Sequence, residues 1–292
     1  MSISFVNYTR DGTAYRSGVL RGGRILSLAE LGLPCASVYD YIVKYGDGGI
    51  DKIREADFSR GLSVDEAEIL APFSSTPHDI ICVGLNYQSH KDESQSFLNN
   101  PDLYSTADAI YFAKRAYRIT GPYEDIEARA DLDDNIDYEC ELAIVIGREG
   151  RDIREEDALE YVFGYTIVND LSSRALQKRH GQWYKGKSLD GYTVMGPGVV
   201  PKLEIADVGN INLTTRVNGE LRQDSNTKYM MKNVRRLIHE LSQGMTLVPG
   251  DIIATGTPSG VGQGFAPPKW LKKGDVIEME IEGIGKLRNR LI

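Results

Sequence analysis

An apolar run that begins behind two glutamates places the strongest constraint on this chain. Residues 142–146 are apolar and rich in β-branched side chains, which predicts a buried strand. Glu139 and Glu141 stand at its entrance. Side chains alternate between the faces of a strand, so both carboxylates point to one side. They repel each other unless a proton or a hard cation such as Mg²⁺ or Ca²⁺ shares their charge. The alternative is an edge strand with two solvent-facing glutamates.

A second strand supplies a third carboxylate. Residues 163–168 predict another buried strand that leads to Asp170, and a helix is predicted over residues 172–180. Strand ends that open into helices commonly carry sites. With Glu139 and Glu141, Asp170 would supply three oxygen ligands and leave the remaining octahedral positions to water or substrate, as Mg²⁺ prefers. Alternatively, Asp170 is only the N-cap of that helix.

Composition indicates a globular protein of one or two domains. The 292 residues are 41% hydrophobic and 26% charged, which is ordinary for a globular chain. A formal net charge of −8 argues against nucleic acid and against an anionic membrane as partners. Three scattered cysteines do not form a disulfide framework or a zinc site. No signal peptide and no run of about 18 apolar residues is present, so we expect a cytoplasmic protein.

Short predicted strands outnumber helices, which indicates a mainly β fold with some α structure. Residues 3–28 predict an antiparallel meander, and Asn218-Gly219 predicts a type I′ hairpin. A Ser/Thr/Pro cluster predicts a linker, so we expect a small N-terminal α+β domain over residues 1–73 and a larger domain over residues 74–292. Further helices are predicted over residues 38–45, 51–57 and 230–243.

Other side chains are candidates for catalysis or substrate binding. His90 and Glu93 lie one helical turn apart, so the carboxylate can orient the imidazole as a general base; the alternative is a solvated surface pair. Lys187, between glycines, could neutralise an enolate or oxyanion, or could be an ordinary basic side chain. Arg174 and Gln177 share a helix face. They could bind a carboxylate or carbonyl, or simply solvate the helix.

The glycine-rich segment at residues 255–262 lacks the Gly-Lys-Ser/Thr ending of a P-loop, so nucleotide binding is rejected. Its backbone N–H groups and the hydroxyl of Thr257 could instead hold a small carboxylate.

Five motifs follow one another along the chain. They are Gly84-Leu85-Asn86-Tyr87-x-x-His90-x-x-Glu93, Asp137-Tyr138-Glu139-x-Glu141-Leu142, Asn169-Asp170-x-Ser172-x-Arg174-x-x-Gln177, Gly186-Lys187-Ser188-x-Asp190-Gly191 and Thr255-Gly256-Thr257-Pro258-Ser259-Gly260-Val261-Gly262. In this order they resemble the fumarylacetoacetate hydrolase family, over roughly residues 75–292. The motifs are specific for the family but not for a substrate.

The resemblance implies a fold and a set of roles. The larger domain would be a mixed β-sandwich roll, usually in a homodimer. The ligands of Mg²⁺ or Mn²⁺, or of Ca²⁺ in crystals, would be Glu139, Glu141 and Asp170. The water-activating pair, on a mobile lid over residues 88–106, would be His90 and Glu93. The contacts to substrate and oxyanion would be Lys187, Arg174, Gln177 and Thr257.

Three departures from the family pattern concern the pocket. Ala175 stands where an aspartate is usual, and Thr193-Val194 replaces a residue followed by proline. Arg115 to Arg118 replaces prolines and serines. Its positive charge would suit a substrate with a second carboxylate.

Together these features predict a Mg²⁺-dependent hydrolase that cleaves a C–C bond of an acylpyruvate or related 2-oxo acid. His90 would activate water, and the metal and Lys187 would stabilise the expelled enolate under a closed lid. The alternatives that use the same enolate are decarboxylation of oxaloacetate and hydration or isomerisation of an unsaturated 2-oxo acid. A binding protein without activity is the alternative from another class.

Overall fold

Strands dominate the protein, as predicted. The computed structural model describes residues 2–95 and 108–292. In these ranges the strands are β1 Ser4–Thr9, β2 Arg16–Arg21, β3 Arg24–Ser27, β4 Leu62–Ser63, β5 Glu68–Leu70, β6 Ile80–Gly84, β7 Ile110–Lys114, β8 Ile119–Thr120, β9 Ile136–Asp137, β10 Cys140–Ile146, β11 Val162–Asp170, β12 Ser172–Ser173, β13 Thr193–Pro201, β14 Asn212–Val217, β15 Glu220–Asn226, β16 Ile252–Ala254, β17 Val276–Ile281 and β18 Gly285–Arg290.

The helices are short and lie between these strands. They are α1 Val38–Tyr45, α2 Ile50–Glu55, α3 Gln88–Gln95, α4 Arg174–Arg179, α5 Tyr184–Lys187 and α6 Val234–Ser242. α1 has its predicted bounds, and α6 starts four residues later than predicted because the side chain of Asn233 caps it at Arg236 N. The helix predicted from residue 172 begins at Arg174, since Ser172 and Ser173 pair with β9 instead.

A mixed sheet of twelve strands forms the centre of the fold. Its order is β4-β3-β2-β1-β13-β11-β10-β16-β6-β7, with β5 on β1 and β8 on β13. Most neighbours are antiparallel, whereas β6 pairs with β16 and β8 with β13 in parallel. A second sheet has the order β15-β14-β17-β18. Its β14–β15 turn has positive φ at Asn218 and Gly219, which confirms the type I′ hairpin.

Every residue of β10 is buried, and its two faces belong to different cores. Leu142, Ile144 and Ile146 pack with residues of the second sheet, such as Leu213 and Met279. Ala143 and Val145 pack on the other side with the N-terminal segment, including α1. The alternation follows from the two-residue period of a strand. The mainly β sandwich-like fold is therefore confirmed.

The N-terminal segment extends the central sheet. β1 pairs with β13 at Phe5 and Val199, and the ring of Phe5 lies 4.4 Å from that of Tyr41 and 5.3 Å from that of Phe163. One core therefore contains side chains from both sides of residue 73. The division into two domains at that residue stays a prediction.

Two further expectations concern the membrane and the lid. Among the described residues, no helix has the length and apolar character needed to span a bilayer. α3 covers the first part of the expected lid, whereas residues 96–106 of that lid lie outside the described residues.

Candidate active site

The two central strands bring the three predicted ligand carboxylates together. β10 and β11 are antiparallel, with Cys140 opposite Asn169, so the start of one strand lies beside the end of the other. Glu139 and Glu141 are 5% and 1% exposed, and Asp170 is fully buried. One carboxylate oxygen from each lies within 4.8 Å of the others. The solvent-facing alternative is wrong for both glutamates.

Asp170 is not the cap of α4. Ser173 stands at the N-cap position, and the first backbone amides of the helix donate to the buried carboxylate of Asp133 instead, from Ala175 N at 2.8 Å and Leu176 N at 3.3 Å. The N-cap alternative is therefore wrong, and Asp133 occupies the place that a cap would otherwise fill.

Buried cations surround the carboxylates. The Nζ atom of Lys187 lies 2.6 Å from Glu139 Oε2 and 2.8 Å from Asp170 Oδ2. On the other side of Asp170, Lys114 Nζ lies 2.8 Å from Oδ1. Arg174 Nη2 lies 2.7 Å from Glu139 Oε1. These contacts offset the cost of burying so many charges in one place.

The surroundings shift the pKa values of the two glutamates in opposite directions. Burial alone would raise the pKa of Glu139, but Lys187 and Arg174 lower it to about 2. Burial, followed by the charges of Asp170 and Glu139, raises the pKa of Glu141 well above its usual range. Glu141 receives a hydrogen bond from Gly256 N at 2.8 Å. Of the two glutamates, Glu141 is therefore the one that takes up a proton more readily.

The three oxygens fit a hard divalent cation. Bonds of roughly 2.1–2.4 Å place opposite oxygens of a cation about 4.2–4.8 Å apart, and the three carboxylate oxygens lie within 4.8 Å of one another. One ion can therefore contact all three side chains. The donor set, all carboxylate oxygen and buried, is of the kind that Mg²⁺ and Mn²⁺ prefer.

The predicted imidazole–carboxylate pair forms at the start of α3. His90 Nδ1 lies 3.0 Å from Glu93 Oε2, and the side chains are 8% and 14% exposed. A solvated surface pair is therefore the wrong alternative. The second oxygen of Glu93 accepts a hydrogen bond from Gly260 N at 3.0 Å. His90 also lies close enough to the predicted metal ligands that a positive charge on its ring would lower the pKa of Glu139.

The predicted substrate contacts bind other protein groups in this structure. Arg174 and Gln177 do share a helix face, with 3.2 Å between Nη1 and Oε1. The rest of the guanidinium faces Asp137 and Glu139. Thr257 Oγ donates to Cys140 O at 3.0 Å. The roles of these residues toward a substrate stay predictions.

Sequence reasoning did not assign Lys114, Asp137 or Gln223. Lys114 is fully buried and donates to the carbonyl oxygens of Leu171 and Lys187 as well as pairing with Asp170. A lysine at the end of an apolar strand was the available signal. Gln223 accepts from Cys140 N and donates to Thr257 Oγ, a long-range contact for which the sequence carries no pattern.

The departures from the family pattern lie on β13 opposite Asp170, near the start of α4 and in the segment after β7. Arg115 and Arg118 are exposed, and the Arg115 guanidinium lies 5.2 Å from the centre of the Tyr117 ring. Their interaction with a second substrate carboxylate stays a prediction. Lys187 ends the short helix α5.

The fold and the site define a β-rich protein with a buried acidic centre beside a histidine–glutamate pair, an arrangement suited to metal-assisted acid–base chemistry. The family model for the C-terminal part of fumarylacetoacetate (FAA) hydrolase matches residues 79–292. The chain therefore belongs to the fumarylacetoacetate hydrolase family, which confirms the resemblance of the five motifs.

Proteins similar to this chain are named for several different activities. The chain is 45% identical to oxaloacetate tautomerase YisK of Bacillus subtilis (strain 168) over 229 residues, 78% of this chain and 74% of that protein. Fumarylacetoacetate hydrolase from psychrophilic Exiguobacterium antarcticum matches with a TM-score of 0.86 and 41% identity over 99% of both chains. Maleylpyruvate hydrolase from Sphingobium sp. SYK-6, solved with manganese(II) and pyruvate, matches with a TM-score of 0.78 and 26% identity over 99% of this chain and 98% of that chain.

Proposed function

We propose that the protein is a divalent-metal-dependent enzyme that forms the enol or enolate of a short 2-oxo acid, and that its reaction is keto–enol tautomerisation of an oxaloacetate-type dicarboxylate. The observation that carries this proposal is the buried carboxylate triad beside the His90–Glu93 pair. The 45% identity to an oxaloacetate tautomerase supports the choice of reaction.

Mg²⁺ or Mn²⁺ would be held by Glu139, Glu141 and Asp170, whose oxygens fit one ion. When bound, the ion would polarise the 2-oxo carbonyl and so acidify the neighbouring C–H group. The manganese and pyruvate in the Sphingobium relative support a divalent cation together with a 2-oxo acid.

His90 is the residue that we assign to proton transfer. Its Nδ1 faces Glu93, which fixes the ring orientation and leaves Nε2 to move a proton between the carbon next to the carbonyl group and the carbonyl oxygen. Both side chains are largely buried, which limits competition from bulk water. Lys187, already beside Glu139 and Asp170, carries the positive charge that would stabilise the enolate oxygen.

The charges of the site suit an anionic substrate. Three largely buried cations lie among four buried carboxylates; the members of this cluster are Lys114, Lys187, Arg174, Asp137, Glu139, Glu141 and Asp170. With all four carboxylates in their anionic form, a divalent cation would bring the formal charge of the cluster from −1 to +1. A carboxylate of a 2-oxo acid would neutralise it.

Hydrolysis of an acylpyruvate is the second candidate. The same His90–Glu93 pair is suited to remove a proton from water, which would attack the distal carbonyl and expel pyruvate enolate. Two solved relatives carry hydrolase names, which favours this reaction. Both candidates share the metal and the enolate, but only hydrolysis consumes water and breaks a C–C bond.

One set of assays separates the two candidates. Metal-loaded protein would be given oxaloacetate, with the conjugated enol followed by ultraviolet absorbance, and a panel of acylpyruvates, with products identified by NMR. Rates are compared with those of the metal ion alone. His90→Ala should abolish the enzymatic rate, whereas His78→Ala, at an exposed histidine paired with Asp251, should not. Activity that survives EDTA, or rates no higher than with free metal for every compound, would refute the proposed function.

A tautomerase would convert enol to ketone with no other product, whereas a hydrolase would release pyruvate and a second acid. The homodimeric state is part of the same proposal, by resemblance to the family, and sedimentation measurements on the purified protein would test it.

A further inference from the structure

Asp137 is a buried carboxylate with an unusual number of ordered partners. It is fully buried. Arg174 presents both Nε and Nη2 to its Oδ2, each at 2.9 Å. Two consecutive backbone amides of the loop at residues 260–264 also donate to Asp137, Gly262 N at 2.6 Å and Gln263 N at 3.1 Å. One side chain therefore fixes an arginine and a loop at the same time.

Arg174 contacts both Asp137 and the predicted metal ligand Glu139. Arg174 Nη2, held by Asp137, also lies 2.7 Å from Glu139 Oε1. Glu139 then presents its other oxygen, Oε2, toward Lys187. The orientation of the Glu139 carboxylate thus depends on a guanidinium whose own position is set by Asp137.

The loop at residues 260–264 contacts both Asp137 and Glu93 of the proton-transfer pair. Gly260 N, two residues before Gly262, donates to Glu93 Oε1 at 3.0 Å. Gly264 packs so closely on the same carboxylate that a Cβ at this position would lie 1.9 Å from Glu93 Oε1. The position of this loop therefore sets the position of Glu93, and Glu93 orients His90.

We propose that Asp137 is a positioning residue that couples the two halves of the site, the metal ligand Glu139 through Arg174 and the proton-transfer pair through the loop at residues 260–264. Asp137 is not one of the three predicted metal ligands. Its effect on turnover rests on the proposed function. Its effects on metal affinity and on the loop do not, and they can be measured without substrate.

Asp137→Asn tests the coupling with an isosteric change. The amide replaces one acceptor oxygen with an NH₂ group, which would face Arg174 and Gln263 N at the Oδ2 position or Gly262 N at the Oδ1 position, all of which are donors. We expect the dissociation constant for Mn²⁺, measured by electron paramagnetic resonance without substrate, to rise about 10- to 100-fold. In the metal-free variant, the amides of Gly260 and Gly262 should exchange with solvent faster than in the wild type.

Asp251→Asn is the matched control. Asp251 is also a buried carboxylate, and it accepts from Val248 N at 2.8 Å and contacts His78 Nδ1 at 2.7 Å. This variant should lose thermal stability while its Mn²⁺ affinity and Gly260 exchange remain those of the wild type. A merely structural role for Asp137 would give the same result in Asp137→Asn.

Gly262→Ala tests the coupling by changing the loop instead of Asp137. It can be measured even if Asp137→Asn does not fold. A Cβ on Gly262 would lie 2.8 Å from Asp137 Oδ1 and 2.5 Å from Lys269 O, so the loop must shift. Coupling predicts weaker Mn²⁺ binding in this variant too, although Gly262 is not a predicted ligand. Wild-type Mn²⁺ affinity in either variant, or weakened affinity with unchanged Gly260 exchange in Asp137→Asn, would overturn the inference. Failure to find a substrate would overturn only the proposed function.

Discussion

Replacing Lys187 with methionine removes the ammonium that contacts two of the three clustered acidic side chains. Its Nζ lies 2.6 Å from Glu139 and 2.8 Å from Asp170, and Lys187 is 2% exposed. Breaking a buried ion pair from one side costs about 3–5 kcal/mol, because the remaining charge stays buried without its partner. For a chain of this size we expect Tm in EDTA to fall by roughly 5–8 °C.

The loss should depend on pH in a defined direction. The pKa of Glu139 is lowered to about 2 in the folded protein, with Lys187 as the strongest cause of the lowering. A depressed carboxyl pKa stabilises the fold above the unfolded value of about 4.3 and loses this effect as pH falls through the folded value. The difference between wild type and Lys187→Met should therefore be largest near neutral pH and shrink as pH falls below about 4.

Metal should stabilise the Lys187→Met variant. In the wild type the ammonium of Lys187 would repel a bound cation, since two like unit charges about 4 Å apart repel by roughly 4 kcal/mol at an effective dielectric constant of 20. Without the ammonium, a divalent cation should bind more tightly and raise the Tm of Lys187→Met by more than it raises that of the wild type, while turnover is lost. Differential scanning calorimetry with EDTA and with Mg²⁺ measures both effects.

Lys286→Met, at an exposed lysine paired with Glu280, should change stability by less than about 0.5 kcal/mol. A metal-free Lys187→Met protein as stable as wild type would refute the reasoning.

Three further predictions follow from other contacts. Burial and the neighbouring carboxylates raise the pKa of Glu141, so metal uptake should release a proton and weaken as pH falls. Glu141→Gln should abolish metal binding with little change of Tm in EDTA, as titration calorimetry can check; retained binding would contradict the assignment. Arg115→Ala with Arg118→Ala should raise KM for dicarboxylic substrates more than for monocarboxylic ones, and an unchanged preference rejects their role. Gly264→Ala should displace Glu93 and lower kcat by about 100-fold; wild-type kcat would show that Glu93 tolerates the shift.

Sequence patterns predicted the parts of this protein that depend on local periodicity. The buried β10 and β11, the i, i+2 spacing of Glu139 and Glu141 and the i, i+3 spacing of His90 and Glu93 all follow from the geometry of a single element. The convergence of Glu139, Glu141 and Asp170 required only one assumption beyond this, that consecutive strands pair as neighbours.

Long-range contacts were not predictable in the same way. Asp137 binds Arg174, 37 residues later, and Gly262, 125 residues later, so no local pattern indicates either contact. Lys114 looked like the end of an ordinary strand, although its amine pairs with Asp170. Ser172 and Ser173 left the predicted helix because they pair with β9. In each case tertiary structure overrides the local preference.

The two buried faces of β10 set limits on how relatives of this enzyme can diverge. A shift of its register by one residue would exchange the residues of one core for those of the other, so the strand cannot slide, and the acidic side chains at its entrance keep their spacing. Adaptation to a new substrate must therefore arise in the loops and helix ends around the acidic side chains at the start of β10. There, insertions and replacements leave both layers intact.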